Sequence, residues 1–152
     1  MGIISVQRQL SAPPAAVYAI LTDPFTWPDW FTIHDRFVEE PPTDLRPGTR
    51  LASKVTLLDI SVRVTWTVAE LDEGARFALR GSAPAGVGCD FAYTLVPSDA
   101  GTAMTAEGEF GGPLIMRSLS KALEKNGTIQ LSRSLDLLES VAALGRTGDR
   151  VG

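Results

Sequence analysis

The stretch PLIMRSLSKALEKNGTIQLSRSLDLLESVAAL, residues 113–144, decides how this chain must fold. It follows Gly111-Gly112, and its leading Pro113 suits a first helical position, where a missing N–H has no partner to lose. No proline follows, and Gly127 is the only glycine inside the run. Met116, Leu119, Leu123, Leu131, Leu135, Leu138 and Ala142 recur at steps of three, four or eight, so they share one helical face. At 1.5 Å per residue the run makes a helix of roughly 45 Å, which in a small domain must lie across something broad. The apolar face changes character in its middle, where Asn126, Gly127, Gln130 and Ser134 occupy the same arc. Polar groups on a buried face need partners or space. The phase therefore predicts a helix whose ends pack on core and whose middle covers a cavity. The alternatives are a wet groove or a bend at Gly127.

What the helix lies across is written upstream. Residues 3–10 begin apolar and then alternate, as a first strand does. Pro13-Pro14 opens a short helix with Val17, Ile20 and Leu21 on one stripe, and Asp23-Pro24 stops it. Phe25, Trp27, Trp30 and Phe31 crowd into a second short helical segment. From residue 34 the period becomes two, with strands expected over 34–40, 49–58, 60–71, 77–81, 89–95 and 104–110. Pro47-Gly48, Asp72-Glu73-Gly74 and Ser98-Asp99-Ala100-Gly101 are turns, and 81–88 is a loop bearing glycine and proline. Hairpin spacing makes the sheet antiparallel, and one apolar face per strand means that one side is covered. The expected fold class is α+β: a curved antiparallel sheet of about seven strands wrapped around one long C-terminal helix, with two short helices after the first strand. A curved sheet and a straight helix part company near their centres, which again places a hollow beneath Asn126, Gly127, Gln130 and Ser134.

Length and charge narrow the function classes. A chain of 152 residues with no internal repeat or linker reads as one domain over 1–144, followed by a polar, glycine-rich tail at 145–152 expected to be flexible. Eighteen acidic against fourteen basic residues give a net charge of −4, so no nucleic-acid partner is expected. No leader pattern and no apolar run of about 18 residues is evident, so no membrane insertion is expected. Cys89 is the only cysteine, which forbids an internal disulfide and suits the cytoplasm.

Several short runs resemble a known family. Ser11-Ala12-Pro13-Pro14-Ala15-Ala16-Val17-Tyr18, Leu21-Thr22-Asp23-Pro24 and Trp27-Pro28-Asp29-Trp30 are similar to the opening signature of the START/Bet v 1-like (SRPBCC) superfamily. Within it, the chain most resembles the bacterial polyketide cyclase/dehydrase and lipid-transport branch. Pro47-Gly48-Thr49, Trp66-Thr67-Val68-Ala69-Glu70-Leu71 and Gly101-Thr102 extend the likeness, which covers residues 3 to about 144. The signature concerns packing and says little of chemistry. The resemblance implies a helix-grip fold with a deep apolar cavity for a lipid, polyketide or similar ligand. Its members include carriers, aromatase/cyclases and toxin-like proteins of toxin–antitoxin pairs.

Candidate chemistry is sparse. His34 is the only histidine and the natural acid or base near neutral pH, but a strand-end surface position is the commoner fate of a lone histidine. Asp35 follows it directly and points to the opposite face, so it cannot complete a triad. If the protein is an enzyme, His34 and Tyr93 are the groups that move protons; neither is assigned outright. One histidine and one cysteine do not make a zinc site, and no metal or cofactor is expected. Cys89 on an alternating strand reads as a small core hydrophobe. Arg63 and Arg80 fall on polar strand positions. Ile129 lies opposite the helix stripe and, with Leu114, is a candidate partner contact, which leaves the chain a monomer or a weak homodimer. The expected cavity lining is Trp27, Trp30, Val64, Trp66, Phe77, Leu79, Phe91, Tyr93, Met104, Ala106, Leu123, Asn126, Gly127, Gln130 and Ser134. The expected function is binding or transport of a small apolar ligand. A polyketide cyclase or dehydratase and a toxin-like regulator are the alternatives.

Overall fold

A computed structural model describes residues 2–113 and 117–151 of the chain. The first strand, β1 (Gly2–Leu10), leads to helix α1 (Pro14–Leu21), with Pro13 at its N-cap and Pro14 in its first turn. The Asp23 carboxylate accepts the Phe25 N–H at 3.0 Å and starts a 3-10 turn, Pro24–Thr26, which runs into the single-turn helix α2 (Trp27–Trp30). Six strands follow: β2 (His34–Phe37), β3 (Arg50–Leu57), β4 (Ile60–Asp72), β5 (Arg76–Ser82), β6 (Gly88–Ser98) and β7 (Gly101–Gly111). The last element is helix α3 (Arg117–Val151).

All seven strands form one antiparallel sheet in the order β1-β7-β6-β5-β4-β3-β2. The first strand thus pairs with the last, and the rest is a meander. Register slips at His34/Arg36 and at Val68/Glu70 are bulges, which add twist and curl the sheet. Alternation along each strand decides its faces. Val64, Trp66 and Val68 point into the curl while Arg63, Thr65 and Thr67 point out, and Cys89, Phe91, Tyr93 and Leu95 repeat the rule on β6. Arg63 and Arg80 are exposed on the outer face. The concave face holds α3 through Leu123, Leu131, Leu135, Leu138 and Ala142, all buried. This is the α+β helix grip that the alternation and the helix length predict.

The helix is described from Arg117 to Val151, against an expected span of about 113–144. The helical record begins at Arg117, and the expected first turn, with Leu114 and Met116, lies outside the described residues. The tail expected to be flexible from residue 145 continues the helix to Val151. Its two glycines, Gly145 and Gly148, each disfavour a helix by only about 1 kcal/mol, and no proline stops it.

Candidate ligand-binding site

The middle of α3 is where a hollow is expected, and the structure fills it. Gly127 is buried, and a Cβ built on it would sit 2.9 Å from Ile4 Cδ1 and 3.1 Å from Phe110 Cε2. The glycine is there to let the sheet come close. Phe31, Phe91 and Phe110 crowd beneath it, with Phe91 set edge-on to both Phe31 and Phe110. The void they leave, bordered also by Gln130 and Ser134, is about 10 Å³, the space of about one water molecule. Ser134 is a structural tie. Its Oγ accepts the Thr32 N–H at 3.0 Å, and the Thr32 hydroxyl lies 3.0 Å from both Ser134 Oγ and the Gln130 carbonyl oxygen. Asn126 is half-buried and borders neither this void nor the cleft described below. The polar break therefore marks tight packing and a tether to the α2–β2 junction, which corrects the expectation of a central cavity.

A ligand-sized space lies nearer the start of α3. It is a cleft of about 340 Å³ between the β3–β4 hairpin tip, the 83–87 loop and the first turns of the helix. Val55, Val62, Val64, Cys89 and Phe110 line it from the strands, Leu57, Leu58 and Ile60 from the hairpin tip. Ala83, Pro84 and Val87 come from the loop, Leu119 and Leu123 from the helix. The sequence put Leu119 on the packed face, yet it is 36% exposed, as is 60% of Ile60. The only side-chain heteroatom among these thirteen residues is the Cys89 sulfur. Burial pushes its thiol pKa far up, so it stays protonated and apolar.

Backbone conformation shapes the rim. Leu58 and Asp59 both have positive φ, 51° and 63°, as a two-residue hairpin turn requires when its twist matches the strands. Asparagine and glycine meet that need at little cost, whereas leucine does not. Leu58 instead brings a half-buried side chain to the cleft. Ala85 (φ 63°) and Gly86 (φ 75°) bend the opposite loop.

The predicted lining residues divide by location. Val64 and Leu123 line the cleft. Phe91, Gly127, Gln130 and Ser134 border the small void. Trp27, Trp30, Trp66, Phe77, Leu79, Tyr93, Met104 and Ala106 are buried in the core and border neither space. Each tryptophan N–H is used internally: Trp27 donates to the Leu21 carbonyl, Trp30 to Thr26 Oγ1 and Trp66 to Ser53 Oγ. His34 is not a surface residue. It faces inward opposite Val55, its ring 4.5 Å from that of Phe37 and 6.1 Å from that of Trp27. Burial lowers its pKa, against a weaker upward pull from Asp35. Both its ring nitrogens and the Tyr93 hydroxyl are buried without a hydrogen-bond partner. Burial also raises the Tyr93 pKa well above the phenol's usual value. Neither residue lines the cleft. Among the described residues, no cluster of three or more His, Cys, Asp or Glu is placed to hold a metal ion. No described helix is long and apolar enough to cross a membrane.

A second space, about 420 Å³, lies on the outer face of the sheet. It is an open trough floored by Ala69, Ala78 and Ala92 and rimmed by Glu70, Arg76, Arg80, Asp90, Glu107 and Glu109. Charge and solvent fill such a trough, and it offers no enclosure for an apolar molecule.

The architecture recurs in solved structures. Protein CV1439 from Chromobacterium violaceum superposes with a TM-score of 0.72 at 21% identity, covering 93% of this chain and 98% of its own. Ara h 8.0201 superposes with a TM-score of 0.68 at 15% identity, covering 93% and 97%. At such identities these superpositions establish a shared fold and nothing finer. In sequence, the chain is 26% identical over 107 residues to protein Rv1546 of Mycobacterium tuberculosis, covering 70% of this chain and 75% of that one. It is 23% identical over 116 residues to the Mycobacterium tuberculosis protein named Toxin Rv0910, covering 76% and 81%. The sequence model of one family, described as polyketide cyclase / dehydrase and lipid transport, matches residues 1–143. With its curled seven-stranded sheet closed on a long helix and an aliphatic cleft between them, the chain belongs to the polyketide cyclase/dehydrase and lipid-transport family.

Proposed function

We propose that this protein binds and carries a small apolar ligand, held in the cleft between the β3–β4 hairpin, the 83–87 loop and the start of α3. The observation that carries this reading is the cleft's lining of aliphatic side chains, one phenyl ring (Phe110) and one buried thiol, with no group able to activate water or a carbonyl. Ligand burial there supplies affinity at roughly 25 cal/mol per Å² of apolar surface, less the cost of association. A catalytic reading needs a proton-moving group against the substrate. The two candidates, His34 and Tyr93, are packed into the core instead. The test is native mass spectrometry of protein purified from its own host, followed by titration with an apolar fluorescent probe. A co-purifying apolar molecule, or probe binding lost in Val62→Phe, supports the reading. Protein that arrives empty and binds no apolar probe refutes it.

The likeness to the protein named Toxin Rv0910 supports a second reading, a regulator of growth acting through a partner. Growth arrest on expression that is unaffected by Val62→Phe would favour that reading over carriage.

A further inference from the structure

We infer that the ligand is a hydrocarbon chain, inserted tail first with its polar end left at the mouth; the inference rests on the carrier reading above. Three observations point to a chain rather than an oxygenated or polycyclic molecule.

First, no donor or acceptor side chain waits inside: the sulfur of the buried, free Cys89 is the only side-chain heteroatom of the lining. A hydroxyl or ketone carried into the cleft would lose its water and gain no side-chain partner. Second, the ring surfaces that would stack on a planar ligand are sealed elsewhere. Trp27, Trp30, Trp66, Phe77 and Tyr93 are at most 1% exposed. Phe110 is the one aromatic residue of the cleft, and its ring already packs edge-on to Phe91. Third, the two polar groups without partners, His34 and the Tyr93 hydroxyl, are outside the lining, so they cannot anchor an interior oxygen. The size suits a tail as well. The cleft's volume of about 340 Å³ lies at the lower end of the range of small-molecule sites, as a single tail requires.

The test is a titration series by calorimetry, below micelle-forming concentrations, using octanoate, decanoate, dodecanoate, a mid-chain hydroxydodecanoate and a hydroxylated anthraquinone. Each added methylene should tighten binding by about fourfold until the cleft is full. The mid-chain hydroxyl should weaken it at least tenfold relative to dodecanoate. Val62→Phe, which puts a ring into the cleft, should abolish binding, while Ala78→Phe, which fills the outer trough, should not. Circular dichroism checks that both variants fold. If Val62→Phe does not fold, Leu119→Trp at the more exposed rim replaces it. Equal or tighter binding of the hydroxylated chain or the anthraquinone overturns the tail assignment and leaves the apolar-carrier reading standing. Chain binding that survives the cleft variants but is lost in Ala78→Phe overturns the location. Absence of binding by every probe overturns both readings.

Discussion

Replacing Gly127 tests the packed middle of the helix, because a hollow and a packed contact predict opposite signs. Gly127 is buried inside α3, where glycine disfavours the helix by about 1 kcal/mol relative to alanine. Over an open cavity, Gly127→Ala would therefore stabilise the protein by about that amount, and Gly127→Leu would be tolerated. In the structure the new Cβ lands 2.9 Å from Ile4 Cδ1 and 3.1 Å from the Phe110 ring. The Ile4 methyl is the end of a side chain and can swing aside. The Phe110 ring is buried and must shift by a few tenths of an ångström. Overpacking of this kind costs typically 1–3 kcal/mol, so after the helix gain the alanine variant should come out neutral to about 2 kcal/mol less stable. Gly127→Leu drives three more carbons into the same space and should lose about 2 kcal/mol or more after its helix preference is credited. Urea denaturation reads this as a midpoint lower by about 1 M. Ile4→Val removes the nearest methyl, so in the double variant with Gly127→Ala the two changes should compensate rather than add. A Gly127→Ala protein about 1 kcal/mol more stable than the parent, with no coupling to Ile4, would refute the packed middle.

Three other outcomes follow from particular contacts. Ser134→Ala leaves the Thr32 N–H without its acceptor and should cost about 1–3 kcal/mol by chemical denaturation, with Thr32→Val falling in the same range. Asp59→Gly relieves a positive φ at an exposed hairpin position where glycine is favoured, and should raise stability by about 1 kcal/mol. His34 gives the protein a pH dependence of definite sign. Burial holds its folded pKa below the ordinary value of about 6.5, so on acidification the unfolded chain takes up the proton first. The His34 contribution is complete above about pH 6.5 and is lost as pH falls from there through the folded pKa. Denaturation midpoints measured between about pH 7.5 and 5.5 should decline in the parent and decline less in His34→Gln, since carboxylates titrate mainly below that window.

The strands and the long helix were legible because alternation and 3.6-residue phase are local signals, and Leu131, Leu135 and Leu138 declare their face unaided. The centre of the helix was misread for a physical reason. A glycine on an apolar face looks the same in sequence whether it leaves space or surrenders it to a neighbour. Ile4 and Phe110, which take the space, are remote in the chain. Ser134 likewise meets Thr32 across 102 residues of separation, which no local pattern carries. The cleft itself was hidden among core residues: Val55, Val62 and Cys89 alternate as their buried neighbours do. Whether such a face is covered depends on how two loops and the start of α3 meet it. The 81–88 loop, with its glycines and Pro84, was the one part of the rim that its composition marked.

The central claim is that an apolar guest lies at the start of α3 and not beneath its middle. Isotope-filtered NMR on methyl-labelled protein with unlabelled dodecanoate tests it most directly. Intermolecular contacts are expected from the chain to the methyl groups of Val55, Val62, Val64 and Leu123, and none to Leu131 or Leu135. Contacts to Leu131 and Leu135, with the resonances of Phe31 and Tyr93 displaced, would contradict it.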